Sequence, residues 1–484
     1  MGIGILMLVS VGKENIYLSV QPEITFFKVA YRRHTNFSLE PTPQYCKTTP
    51  DFGRRCTVNI GKNADLMGVS YLYVELPNIQ IENFSNNFNQ EFAWSEKIGL
   101  ALIDFIEIEI GGSIIDRHYG DWLNIWNELT VSMGLKKSYN KMIGNISYLT
   151  DFSQIKSSRI LYIPLSFWFC QDIGLALPLI SLIHNDIKIH INFSTINKCY
   201  KLSPSYFITV TNNYCIYNKG EKFYQLYQNN KIIGEFISFD PINQILYYNP
   251  IKGTFIVDSN LPLIGEDTNF IVYIQSGSVI VQNNDYFKFS PPALINAFLL
   301  VTYIYLDNFE RANFLNNSHE YLIPVIQTLP EQSIYSINAR YNLPLYNPIK
   351  LIVWRCILAS NRNNNNNFSY TSINNEYLIN KNLIVINSIN RMDLNSIQYY
   401  TNIQKYQNNF VDNQKGIYTY SFALHPLDLQ PSGSLNFSKI DDAYIQFTMN
   451  NNVNSQNQVF VICYAIQYNI LRTNNGIGGL VFNI

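Results

Sequence analysis

The stretch that most restricts the fold is residues 101–129, ALIDFIEIEIGGSIIDRHYGDWLNIWNEL. Ile106, Ile108 and Ile110 lie on one side of an extended chain, with Glu107 and Glu109 on the other. That period-two alternation suits a strand buried on one face. Gly111-Gly112 then offers the positive φ angles of a two-residue hairpin turn, so a second strand follows at once. Asp121 can cap a helix in which Trp122, Ile125, Trp126 and Leu129 share one apolar stripe. The turn also sets a problem of register. It pairs Ile108 with Ile115, which is favourable, and Glu107 with Asp116, which places like charges opposite each other. Either a cation from another segment sits between them, or the strands diverge there.

Short strand patterns fill most of the chain. They fall at 24–31, 56–60, 69–76, 103–110, 160–169 and 187–193, and again at 297–306, 322–327, 349–358, 417–424, 443–449 and 459–471. In 187–193, Ile187, Ile189, Ile191 and Phe193 alternate with Lys188, His190 and Asn192. Pro and Gly punctuate the intervals. The main helical exception is 121–135. Many short strands with few helices indicate a sandwich or jelly roll. NRNNNNN at 361–367 has little apolar surface to bury and reads as an exposed loop tip. Pro431 and Gly433, in PSGS at 431–434, read as a turn that fixes the backbone between strands.

Several blocks carry a family resemblance. IEIEIGGSIIDRHYGDWLNIWNEL resembles the same region of the major capsid proteins of nucleocytoplasmic large DNA viruses, the mimivirus and chlorovirus group. PEITFFKVAYRRHTNF (22–37), LALPLISL (175–182), YIYLDNFERANFLNNSHEYLI (303–323), YSFALHPLDLQPSGSLNFSKIDDA (420–443) and LRTNNGIGGLVF (471–482) agree in the same order. The resemblance implies an all-β chain of two consecutive eight-stranded antiparallel jelly rolls, with few short helices. It implies a homotrimer that forms a pseudo-hexagonal block and tiles an icosahedral shell beside its neighbours. An arm at 1–22, a first jelly roll at 23–312 and a second at 313–484 are the expected divisions, with the linker near 309–320. The matching blocks stop near Phe193 and resume at Ala297. Residues 197–292 therefore read as a β-rich insertion in a loop of the first jelly roll, standing on the outer face. No sequence repeat links the two halves.

Composition agrees with a structural role. Of 484 residues, 47% are hydrophobic and only 14% charged, against ~25% in a typical soluble protein. The polar surface must come from uncharged side chains. The net charge is −1 and no long basic run occurs, so direct contact with nucleic acid is not expected. Seven cysteines form no C-x-x-C pair, and Cys56 and Cys463 fall in apolar alternation as small core residues. No phosphate loop surrounds Gly12-Lys13, and no G-x-S-x-G elbow is present. The six histidines form no zinc motif. Glu107 and Glu109 could in principle act as a glycosidase pair, but side by side on one strand they read as its polar face. The N-x-S sequons at Asn36, Asn83, Asn145, Asn192, Asn316, Asn367 and Asn436 are expected by chance in an Asn-rich chain, and Asn192 falls in an expected strand.

Residues 1–11, MGIGILMLVSV, are too short to span a bilayer and lack the flanks of a secretory signal. They read either as a segment tucked under the first sandwich or as an arm that contacts minor capsid proteins or an inner membrane. The expected protein is a non-enzymatic component of the virion capsid, needing no cofactor or metal and assembled in the host cytoplasm. The alternatives are a viral scaffold or minor capsid component and, from a different class, a carbohydrate-binding jelly roll, which the abundant aromatics would suit.

Overall fold

The computed structural model describes residues 3–15, 19–81, 90–227, 230–282, 291–372, 374–391, 396–451, 453–454 and 457–482. The sequon at Asn83 and residues 283–290 of the inserted segment lie outside the described residues.

Eight strands build the first half: Phe37–Tyr45, Arg55–Asn59, Leu66–Leu76, Ile103–Ile110, Ser113–Tyr119, Arg159–Pro164, Ile187–Phe193 and Asn296–Leu306. Counted along the chain, they form two antiparallel sheets in the orders 1-8-3-6 and 2-7-4-5. The second half uses His319–Thr328, Asn338–Asn342, Pro348–Leu358, Ile379–Ile386, Ile389–Asn390, Ile417–Ser421, Ala443–Met449 and Val459–Asn474. Its sheets repeat the orders 1-8-3-6 and 2-7-4-5, with short strands such as Ile477–Leu480 added at the margins. Most connections pass from one sheet to the other, which is the wrapping of a jelly roll. The molecule is thus two jelly rolls of one topology, although their sequences share no repeat.

Each sandwich closes over an apolar interior. In the first, Cys56, Val58, Ile106, Ile108, Ile189 and Ile191 meet Leu72, Val74, Leu161, Ile163, Leu299 and Val301, all fully buried. In the second, Ile352, Trp354, Ile384, Ile445, Phe447, Val461 and Cys463 do the same. Between the seventh and eighth strands of the first half, a seven-stranded sheet runs from Tyr206–Thr209 to Val281–Gln282. It has its own core of Ile208, Phe223, Phe236, Leu246, Tyr248, Phe255 and Leu263.

The hairpin of the 101–129 stretch resolves the register problem. Gly111 and Gly112 take φ of 59° and 89° and close the turn. A bulge then slips the ladder by one residue, so that Ile108 faces Asp116 and Glu107 faces Arg117. The expected Ile108–Ile115 and Glu107–Asp116 pairs do not form. Glu107 is wholly buried, 2.6 Å from Arg117 and 2.5 Å from Arg55 on another strand of the sheet. Slipping the ladder costs a pleat, but it replaces a carboxylate pair with two ion pairs.

Other expectations are corrected. Residues 24–31 form no strand, and Phe26 and Phe27 are 90% and 98% exposed. The alternation is present, but among the described residues no neighbouring strand takes up its amides and carbonyls. Residues 3–9 form a short exposed helix rather than a tucked segment. The helix expected at 121–135 is two helices, Gly120–Thr130 and Met133–Met142. Gly120 opens the first because a Cβ there would lie 2.2 Å from the Leu100 carbonyl oxygen and 2.5 Å from that of Ile103. The linker is a helix, Asn308–Asn316, capped by Asp307 Oδ1 accepting from the Glu310 amide. NRNNNNN is not an exposed tip. Asn365 Nδ2 donates to the carbonyls of Asn197 and Tyr200, Asn367 Nδ2 donates to that of Lys198, and Lys201 Nζ donates to Asn366 Oδ1. Side-chain amides, not apolar burial, hold this segment on the first half. Residues 431–434 are irregular backbone, with Gly433 at φ 130° and Ser432 Oγ accepting from the His425 amide at 2.8 Å.

On the polar face of the hairpin sheet, Glu109 takes bonds from Lys188 at 2.9 Å and His190 at 2.8 Å, which lower its pKa. Burial works against the charge of Glu128, yet Lys97 and Lys136 outweigh it and its pKa is also lowered. A carboxylate depressed on folding contributes stability that is complete above its unfolded pKa and lost as pH falls through the folded one. The midpoint of chemical unfolding is therefore expected to be flat above about pH 5 and to drop once the pH passes below about 4.3. Replacing both residues by glutamine should flatten that drop, measured by denaturant titration between pH 3 and 7.

Candidate functional site at the junction of the two jelly rolls

The helix Gly120–Thr130 belongs to the first jelly roll but lies against the second. Trp122, Ile125 and Leu129 of its apolar stripe are buried and Trp126 is half-buried, with Trp122 stacked on Trp126 at 5.6 Å and packed on Tyr464 at 5.3 Å. The first core continues into the second half through Ile323, Val325, Leu351, Val353, Tyr370, Tyr464 and Ile466. Strand Pro348–Leu358 is buried on both faces, because one side fills its own sandwich and the other fills this junction.

A polar node is set into that apolar seam. Asp121 is not a cap; Tyr119 holds the cap position and makes no side-chain cap bond. Asp121 instead reaches across the seam. Its Oδ2 accepts from Arg355 Nε at 2.7 Å and Tyr464 OH at 3.0 Å, and its Oδ1 accepts from Tyr370 OH at 2.5 Å. Asn124 Nδ2 also donates to Tyr370 OH, at 2.9 Å. Glu331 Oε1 lies 3.3 Å from Arg355 Nη2, and Arg362 closes the chain on Glu331 at 2.7 Å. Burial opposes the Arg355 charge, but Asp121 and the surrounding oxygens more than compensate and raise its pKa. Burial, then the Asp121 charge, pushes Tyr370 and Tyr464 well above the ordinary phenol value. Both hydroxyls therefore stay protonated as donors.

A second bridge lies two turns along the helix. Lys97 Nζ donates to Asn124 Oδ1 at 2.6 Å, Glu128 Oε1 at 2.7 Å and Gln414 Oε1 at 3.0 Å. The Val411 amide bonds to the Leu129 carbonyl at 2.9 Å. Elsewhere on the seam, Asp116 accepts the Ile326 amide at 3.0 Å, and Asn185 Nδ2 donates to the Gly478 carbonyl at 3.0 Å. Asn185 also abuts Gly111, where a Cβ would sit 2.2 Å from its Nδ2. The structure thus brings Gly111 and Asp121 to contacts between the halves, while Gly112 is open and Pro431 and Gly433 lie in a separate loop. Arg355, Tyr370, Tyr464, Lys97 and Glu128 escaped sequence reasoning. One signal was available: Arg355 interrupts the apolar run IKLIVWRCIL, and a charge in a buried strand demands a partner.

Glu107 and Glu109 are each committed to two basic side chains. His190 bonds Thr57 and Glu109, and His184 lies beside Gly476. Among the described residues no cluster of three His, Cys, Asp or Glu could hold a metal ion, and no helix is long and apolar enough to cross a membrane. The junction's chemistry is orientational: it fixes one sandwich against the other.

Two like-wrapped jelly rolls joined through a shared core in one chain define the double jelly-roll class of viral capsid proteins. Residues 25–229 match the model of the major capsid protein N-terminus, and residues 310–479 match that of the large eukaryotic DNA virus major capsid protein. The chain is 35% identical to probable capsid protein 4 of Acanthamoeba polyphaga mimivirus, over 99% of each. It is 30% identical to the major capsid protein of Pyramimonas orientalis virus, over 100% of each. The chain belongs to the major capsid protein family of large eukaryotic DNA viruses. Its fold is similar to that of the Faustovirus major capsid protein, with TM-score 0.67 and 13% identity over 93% of each chain. It also resembles a chain of the PBCV-1 virus capsid, with TM-score 0.65 and 21% identity over 95% of this chain and 100% of that one.

Proposed function

We propose that this chain is the shell-forming unit of an icosahedral virion and that three copies assemble into one pseudo-hexagonal capsomer. The observation that carries this reading is the repetition of one strand order, 1-8-3-6 over 2-7-4-5, in two halves locked together by a shared core. Three such chains present six similar sandwiches around one axis, and that block tiles by side-to-side contacts. The strands from Phe37 to Leu306 and from His319 to Asn474 supply the two sandwiches, so the arm extends past the expected residue 22 to about residue 36. The inserted 197–292 segment grows out of a loop, where it adds surface without altering the packing.

The segment before Phe37 fits an assembly role. Ile3, Leu6, Met7, Leu8, Val9, Ile24, Phe26, Phe27, Val29 and Tyr31 are all more than half exposed. Apolar surface of that extent in an isolated chain marks a contact with something else. Neighbouring copies, minor capsid proteins and an inner membrane are the partners the reading supplies for it. The protein would then be a virion component assembled in the host cytoplasm, with a structural and non-enzymatic role.

Native mass spectrometry is expected to give a species at three times the 56.0 kDa chain mass. A monomer at every accessible concentration would overturn the reading. High copy number in mature particles is the expected companion result, and it separates a major shell protein from a scaffold that is lost on maturation.

A further inference from the structure

Two adjoining hollows open where the inserted sheet meets the second jelly roll. The larger has a volume of about 370 Å³ and is lined by Pro250, Gly253, Ser360, Asn364, Asn366 and Thr371, among others. The smaller, about 180 Å³, shares Pro250, Asn364 and Asn366 and adds Phe152, Lys201 and Glu235. The larger falls within the range of about 300–1,000 Å³ that small-ligand sites occupy, and seams between structural units are where such sites concentrate.

We infer that these hollows form a binding site for a neutral sugar, such as a pyranose ring of a glycan. The lining carries hydrogen-bonding capacity that the chain leaves unused. Asn364 accepts only a long bond from Tyr206 OH at 3.4 Å, and its amide NH2 donates to no described residue. Asn366 accepts from Lys201 through Oδ1, and its NH2 is likewise free to donate. The Ser360 hydroxyl is buried beside the larger hollow without a partner among the described residues. An amide both donates and accepts, which suits the vicinal hydroxyls of a sugar. Phe152, 40% exposed at the rim of the smaller hollow, offers an aromatic face to the C–H side of a pyranose.

Other ligand classes fit less well. A phosphate or sulfate needs a free cation, but Lys201 already donates to Asn366, and burial opposes its charge and lowers its pKa. An apolar ligand would leave the amides and hydroxyls unpaired, at a cost of about 1–3 kcal/mol each. No cluster of metal-binding side chains exists here among the described residues.

The test uses the full chain in its native oligomer. Saturation-transfer NMR is run with the methyl pyranosides of glucose, galactose, mannose and N-acetylglucosamine, and the same protein is applied to immobilised oligosaccharides of these sugars. At least one probe is expected to bind, with a Kd on the order of 1 mM for a single ring. Binding to the immobilised chains alone assigns the site to glycans rather than free sugars. Phe152→Ala and Asn364→Ala should each weaken binding about tenfold while leaving the oligomer mass unchanged. The Phe152 ring makes no hydrogen bond and is partly exposed, so its removal leaves the fold intact even if the Asn364 variant is damaged. No transfer from any probe in either format, or transfer that survives both substitutions in folded oligomers, would sink the proposal.

Discussion

Asp121→Ala is expected to destabilise the chain by about 3–5 kcal/mol, the range for removing one partner of a buried ion pair. The change leaves the Arg355 guanidinium, whose side chain is 8% exposed, with only the longer 3.3 Å contact to Glu331 as its ion pair, and takes the acceptor from the hydroxyls of Tyr370 and Tyr464. It also severs a bridge between the two jelly rolls, so the loss should appear as lower yield of folded chain. Removing both charges is expected to cost much less. In Asp121→Ala/Arg355→Met no unpaired ion remains, and Met fills the arginine stem's volume among apolar neighbours. The check is the unfolding midpoint in guanidinium for both variants, or the unfolding rate where refolding fails. A double variant no more stable than Asp121→Ala would show that the node acts through shape rather than charge.

Trp354→Ala is expected to cost about 3–5 kcal/mol, as large-to-small changes at well-packed aromatic sites do. Trp354 is fully buried at the centre of the second sandwich, 5.4 Å from the Tyr400 ring and 5.9 Å from that of Tyr418. Its strand has no room to collapse into the gap, because its other face fills the junction. Trp354→Phe should lose only about 1–2 kcal/mol, since the indole N–H has no partner among the described residues and its removal orphans nothing. Thermal unfolding followed by circular dichroism separates the two outcomes. Equal losses in both variants would mean that the indole nitrogen is satisfied by bound water.

Most strands were legible because a half-buried strand writes its burial into alternate residues. Ile187–Phe193, Ile103–Ile110 and Ala443–Met449 fall at the positions their alternation dictates. Strand 24–31 failed for the complementary reason: alternation states which face wants burial, not whether a partner strand exists. Asp121 failed in the same way. A cap and a long-range acceptor look identical in sequence, and the choice was made by Arg355, 234 residues away. The Asn run at 361–367 looked unable to order itself, yet its amides found carbonyls on the first half. Cys56 and Cys463 sit fully buried, as their apolar settings required.

Taken alone, the residue order determined that this is an antiparallel β protein, where its turns lie, and which side chains are interior. It did so because burial period and turn chemistry are local properties, written within a few residues. The tertiary structure decided the slipped register at Glu107, the common wrapping of two halves with unrelated sequences, and the Asp121–Arg355 node that welds them. Those depend on which distant segments come to lie together. That pairing is set by packing over the whole chain, and no short window of sequence contains it.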